Sequence, residues 1–75
     1  MTDRITITFC RPCGYERRAS DAAQRLEQEL GRQAELIPGT GGIFEVSLGG
    51  QVVAKRVRGH FPDAAEIVAA VRAAL

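Results

Sequence analysis

Cys10 and Cys13 are the chain's only cysteines, separated by Arg11 and Pro12. Two sulfurs at this spacing can pass between dithiol and disulfide, with one thiolate attacking and the other resolving a mixed disulfide. Neither cysteine has another partner within the chain. The loop that a bridge would close is too short to restrict the unfolded chain much, so the pair points to redox chemistry and not to a staple. Exchange needs a stabilised thiolate. Arg11 inside the motif and Arg17 and Arg18 shortly after it supply positive potential, and Pro12 stiffens the link between the sulfurs. The plainer alternative is a pair of inert, buried thiols, which often serve as small hydrophobes. A structural zinc site needs four ligands. The two cysteines and the single histidine, His60, fall short of that in one chain, so no metal and no cofactor are expected. His60 itself reads as a surface turn residue ahead of Pro62.

The elements around the motif read β-α-β-β-β-α. In the run Arg4 to Phe9, Ile5, Ile7 and Phe9 point one way and Arg4, Thr6 and Thr8 the other, which predicts a strand with one covered face. From Gly14 to Leu30, the residues Tyr15, Ala19, Ala22, Ala23, Leu26 and Leu30 form a helical stripe. Pro12 suits the first helical turn, Gly31 suits a stop, and Asp21 and Arg25 suit an (i, i+4) surface pair. The motif therefore falls where a strand hands over to a helix, whose N-terminal dipole favours a thiolate.

Ala34 to Ile37 is a short second strand, and Pro38-Gly39-Thr40-Gly41-Gly42 a loop. Ile43 to Leu48 and Gln51 to Val57 pair about a Gly49-Gly50 turn. That turn sets Leu48 opposite Gln51, Val46 opposite Val53 and Phe44 opposite Lys55. Phe44, Val46, Leu48, Val53 and Val57 then share a face, with Glu45 and Arg56 as diagonal neighbours on the other. A last helix runs from about Pro62 to the end, with Ala64, Ile67, Val68, Val71 and Leu75 as its stripe and Pro62 and Asp63 opening it. The pattern predicts a four-stranded mixed sheet, parallel in its first pair, with two helices on one face.

Composition narrows the function. At 75 residues the chain fits one domain, 1–75, and its 45% hydrophobic and 25% charged content suits a packed protein. The net charge of +1 gives no general field for nucleic acid or anionic lipid, so neither is expected as a partner. Lys55-Arg56-Val57-Arg58 and Arg17-Arg18 read as solvated basic groups. Met1-Thr2-Asp3-Arg4 does not lead into a secretory apolar region, and no apolar run has the roughly 20 residues of a membrane span. A cytoplasmic location is expected, as a monomer or weak homodimer. The glycine loop lacks the spacing of a phosphate-binding loop and precedes a strand. Its expected role is local: Pro38, Gly39, Thr40, Gly41 and Gly42 lie near the motif and offer open backbone groups to a bound peptide or glutathione.

Four segments carry a family resemblance. They are Phe9-Cys-Arg-Pro-Cys-Gly-Tyr15, Ile37-Pro-Gly-Thr-Gly-Gly-Ile-Phe-Glu-Val46, Leu48-Gly-Gly-Gln-Val-Val53 and Lys55-Arg-Val-Arg-Gly-His-Phe-Pro62. Together they resemble the selenoprotein W-like (SelT/SelW/SelH, Rdx) family in its bacterial cysteine-containing branch, over nearly the whole chain. The resemblance implies an α/β, minimal thioredoxin-like fold and thiol or selenol redox chemistry in cell redox homeostasis, a class of chemistry and not a named reaction. The function expected from the residues is reversible dithiol–disulfide exchange by Cys10 and Cys13 as the catalytic pair, on a protein disulfide or glutathione. Selenium-containing members carry selenocysteine at the position of Cys13, where this chain has sulfur. Thioredoxin-like proteins hold substrate against a cis-proline just before the third strand; Pro38 is the candidate counterpart, although it precedes the glycines rather than sitting directly before Ile43. Two assignments of the attacking sulfur follow. Cys10, at the strand end and expected to be the more exposed, suits attack on disulfides; Cys13 suits attack on peroxides. A non-enzymatic, redox-sensitive protein-binding module is the alternative to catalysis.

Overall fold

A computed structural model describes residues 4–58 and 60–75. Met1-Thr2-Asp3, read above as no secretory start, and Gly59, within the basic segment before Pro62, lie outside the described residues.

Strand β1, Ile5–Cys10, organises the sheet from its interior. Its alternation works as predicted: Ile5, Ile7 and Phe9 are buried, while Thr6 and Thr8 are only partly covered. Helix α1, Glu16–Leu30, returns the chain to β2, Ala34–Gly39, which runs parallel to β1. Strand β3, Phe44–Leu48, pairs antiparallel on the other side of β1, and β4, Gln51–Lys55, pairs antiparallel with β3. Helix α2, Ala64–Ala74, closes the chain. The sheet order is β2-β1-β3-β4, the four-stranded mixed sheet of a minimal thioredoxin-like fold.

The covered face is the core. Ile5, Ile7, Phe9, Phe44, Val46 and Leu48 of the sheet pack with Ala19, Ala22 and Leu26 of α1 and Ile67, Val68 and Val71 of α2. Each large aliphatic or aromatic side chain buried there contributes about 1.5–3 kcal/mol from removal of apolar surface. No polar or charged residue among those described is buried. The second face of the sheet has no helix, and Ile37 and Val52 are exposed.

Helix ends follow simple signals. Gly31 takes a left-handed conformation (φ +66°) and its N–H donates to the Glu27 carbonyl. Asp63 caps α2 by accepting from the Glu66 N–H at 2.8 Å, so the helix opens one residue after Asp63 and not at Pro62. Leu75, expected on the α2 stripe, is exposed beyond the helix end. Arg25 pairs with Glu29 rather than with Asp21. Both choices are (i, i+4), but Glu29 also faces Arg72 of α2 at 4.0 Å, so it serves two cations at once.

The hairpin departs from its expected register. Gly49 and Gly50 both have positive φ (+60° and +87°), as a two-residue turn requires. Leu48 faces Gln51 and Ser47 faces Val52, but Val46 then faces Ala54 and Glu45 faces Lys55. Val53 is the extra residue of a β-bulge. The adjacent apolar pair Val52-Val53 leaves the alternation ambiguous, and both Val53 and Ala54 pack against the core. Downstream of the bulge every residue is shifted by one, so the Arg56 N–H donates to the Phe44 carbonyl at 2.8 Å. Arg56 thus leaves the open face where Glu45 lies. Val57 ends up exposed, in a tight pair with His60.

Candidate functional site

The carboxyl end of β1 is held from both sides. Cys10 pairs with Gly39 in β2, and its N–H donates to the Ile43 carbonyl at 2.7 Å. The Arg11 N–H donates to the Gly39 carbonyl at 3.1 Å. The chain then turns sharply, with the Gly14 N–H on the Arg11 carbonyl (3.0 Å) and the Tyr15 N–H on the Cys10 carbonyl (3.2 Å). Gly14 has φ +80°, a conformation that a side chain disfavours.

This turn corrects the expected helix start. A left-handed residue cannot continue a right-handed helix, so α1 begins at Glu16 and Pro12 stands in the turn, outside the first helical turn. The helix dipole acts mainly within its own first turn, so it reaches the sulfurs weakened.

Cys10 and Cys13 are joined in a disulfide, with Cα atoms 5.3 Å apart. Their exposures reverse the expected order. Cys10 is only 1% exposed, whereas Cys13 is exposed on the turn. The strand-end position of Cys10 suggested access. There, however, its backbone is held by Gly39 and Ile43 and its sulfur is tied to Cys13, and the residue is buried.

The expected loop is partly strand. Pro38 and Gly39 belong to β2, opposite Phe9 and Cys10, and only Thr40 to Gly42 lie outside an element, with Thr40 and Gly41 exposed. An edge strand tolerates proline, because one row of its backbone groups has no partner strand. No peptide bond among the described residues is cis, so Pro38 is trans and does not match the cis-proline of the thioredoxin comparison. Gly41 and Gly42 turn the chain with φ +74° and +77°. Gly39 has a different reason to be glycine: an added Cβ would lie 3.0 Å from Ile43 Cγ2 and 3.5 Å from the Phe9 carbonyl. Of the expected segment, Gly39 lies beside Cys10 in the sheet, and Ile43, just after the segment, accepts from the Cys10 amide.

Beside the turn stands an aromatic group that the sequence did not single out. Tyr15 meets Phe61 edge to face at 4.9 Å between ring centres, and Phe61 packs on buried Phe44 at the same distance. The Arg18 guanidinium lies 4.2 Å over the Phe61 ring, and that of Arg56 lies 5.9 Å from Tyr15 and 3.5 Å from the Gly42 carbonyl. Arg11 pairs loosely with Glu16 at 3.9 Å. His60, expected to be a plain turn residue, bonds through Nε2 to Glu66 at 2.8 Å on the surface. The signal for Phe61 was its place before buried Pro62. The signal for Arg56 was hidden by the bulge, which alone brings it to this face.

Chemically, the arrangement offers one reachable sulfur bonded to one enclosed sulfur, beside arginines held over rings. A depression of about 410 Å³ lined by Arg4, Thr6, Glu35, Ile37, Gly49 and Gly50 lies at the hairpin end of the open face, away from both cysteines.

Comparison with known proteins bears on the family resemblance. The model of the Rdx family matches residues 4–73. The chain is 36% identical over 73 residues to migration and invasion enhancer 1 of Bos taurus and 33% identical over 72 residues to that of Mus musculus. These alignments take in 95% and 93% of the chain but only 64% and 63% of those longer relatives. A crystal structure of a protein from Bordetella parapertussis superposes with a TM-score of 0.87 at 34% identity, covering 100% of both chains. A selenoprotein W-related protein from Vibrio cholerae superposes with a TM-score of 0.83 at 32% identity, covering 95% of this chain and 94% of that one.

Proposed function

This chain belongs to the Rdx family, a redox-related, selenoprotein W-like group, and from that premise we propose that it is a thiol–disulfide redox protein acting on a protein disulfide or glutathione. The observation that carries the reading is the asymmetric pair: Cys13 exposed on a turn and bonded to Cys10, which is 1% exposed. Attack on a substrate needs access, so the roles divide. The Cys13 thiolate attacks one sulfur of the substrate disulfide; a new S–S bond forms, and the second substrate sulfur leaves as a thiolate. The Cys10 thiolate then attacks the Cys13 sulfur and releases the first substrate sulfur, which regenerates the Cys10–Cys13 disulfide. Two electrons pass from the dithiol to the substrate. A cellular thiol reductant restores the dithiol by the reverse sequence, which suits a reducing compartment such as the cytoplasm.

The alternative is a redox-sensitive binding module without turnover. It draws support from the two backbone bonds that join the sulfur turn to the Gly39–Ile43 segment, Arg11 to Gly39 and Cys10 to Ile43, through which a change in the turn moves its neighbour. A redox titration with mass-spectrometric identification of trapped mixed disulfides tests both. Repeated reduction of a disulfide by a cycling reductant, with Cys10→Ser accumulating a mixed disulfide on Cys13, supports exchange. Oxidation once per chain, with altered partner affinity and no cycling, supports the module.

A further inference from the structure

Exchange between sulfurs does not by itself require the arginines over the rings. Six of the chain's ten lysines and arginines fall in residues 11–18 and 55–58, where Glu16 is the only acid, while the remaining four share the chain with eight acids. A net charge of +1 therefore conceals an uneven distribution of charge along the chain. The fold brings the two basic segments together: Arg18 lies over Phe61, Arg56 reaches Tyr15, and the two rings touch. No carboxylate among the described residues pairs with Arg18 or Arg56. A ring face steadies a guanidinium without neutralising it; Arg56 spends one N–H on the Gly42 carbonyl at 3.5 Å, and its remaining N–H groups and those of Arg18 can meet a carboxylate. Tyr15 follows Cys13 by two residues on the same turn, so the ridge starts within two residues of the exposed cysteine along the chain.

We infer that the Arg18–Phe61–Tyr15–Arg56 ridge is the docking surface for an acidic protein segment, one that carries Asp or Glu beside the cysteine that meets Cys13. The inference rests on the exchange reading above. An extended partner spans about 3.3 Å per residue, so carboxylates within a few residues of its reacting sulfur reach the ridge. Guanidinium forks bind carboxylates in bidentate fashion, which sets the partner's direction as well as its approach. Single-stranded nucleic acid would need a longer aromatic and basic track than one ring pair.

The test uses the reduced chain and three synthetic peptide disulfides, with the reacting cysteine flanked by acidic, neutral or basic residues. Each rate is divided by that of the same peptide with a small neutral dithiol, which removes intrinsic reactivity. The acidic peptide should react about tenfold faster than the neutral one at low ionic strength, with the basic one slowest. The advantage should shrink at about 0.5 M salt. It should fall toward parity in the double variant R18Q/R56Q and survive largely in R18K/R56K. Equal normalised rates for all three peptides would overturn the inference and leave the exchange reading standing. So would a preference that ignores salt or persists in R18Q/R56Q, or an oligonucleotide that displaces the acidic peptide. No reaction with any peptide would overturn both.

Discussion

The two ends of the central strand differ in how far their charges are paired. At the hairpin end, Arg4 pairs with Glu35 beside the Gly49-Gly50 turn, and the cations of the helix layer meet Glu29. At the sulfur end Arg11 pairs only loosely with Glu16, and no carboxylate among the described residues pairs with Arg18 or Arg56, which rest over aromatic rings. Both ends use glycines with positive φ to turn the chain, so backbone geometry does not separate them. The difference lies in whether a charge is already answered inside the molecule. An answered charge contributes a little to surface order; an unanswered one remains available to something that arrives.

Substitutions at the two ends should therefore separate activity from stability. The largest effect is expected at Cys13→Ser, which should reduce disulfide exchange to the solution background while the protein keeps its fold, as read by circular dichroism beside the exchange assay. Ile5→Ala, in the core at the hairpin end, should lower stability by about 3 kcal/mol in urea unfolding, through lost burial and the cavity left behind. Under conditions where that variant is folded, its exchange rate should match the parent; a matching loss of exchange would erase the contrast between the ends. Gly39→Ala should cost about 1 kcal/mol, because the new methyl crowds Ile43, whose carbonyl holds the Cys10 amide. The amide shift of Cys10 should move with it, and an unmoved shift would show that the clamp does not transmit strain. The smallest effect belongs to Glu35→Gln, which removes the partner of Arg4; an exposed pair of this kind contributes about 0.5 kcal/mol or less. Neither the exchange rate nor its salt dependence should change.

Much of the fold could be read from local pattern. Alternation in β1 and in Phe44–Leu48 assigned the right residues to the core, and the stripes of both helices did the same for Ala19, Ala22, Leu26, Ile67, Val68 and Val71. The two sulfurs and their place at the end of β1 were equally legible. What stayed hidden depended on contacts distant in sequence. The strand-end position of Cys10 led to an expectation of exposure, whereas the residue is buried where Gly39 and Ile43 hold its backbone and Cys13 holds its sulfur. Gly14 could have been the second residue of a helix, and only its left-handed conformation delays α1 to Glu16. The extension of β2 through Pro38 needed an edge position, which a single strand does not announce.

The bulge at Val53 has a consequence for how tolerant the sulfur end is to error. In an uninterrupted ladder Lys55 would stand opposite Phe44; with the extra residue that place passes to Arg56. Because these neighbours are both cations, a slip of one position in β4 still presents a positive side chain beside Tyr15. Such a slip would exchange a flat, stackable guanidinium for a compact ammonium, keeping the attraction and losing its directionality. Shortening β4 by one residue is thus a way to retune what this end of the molecule prefers without reversing the sign of that preference.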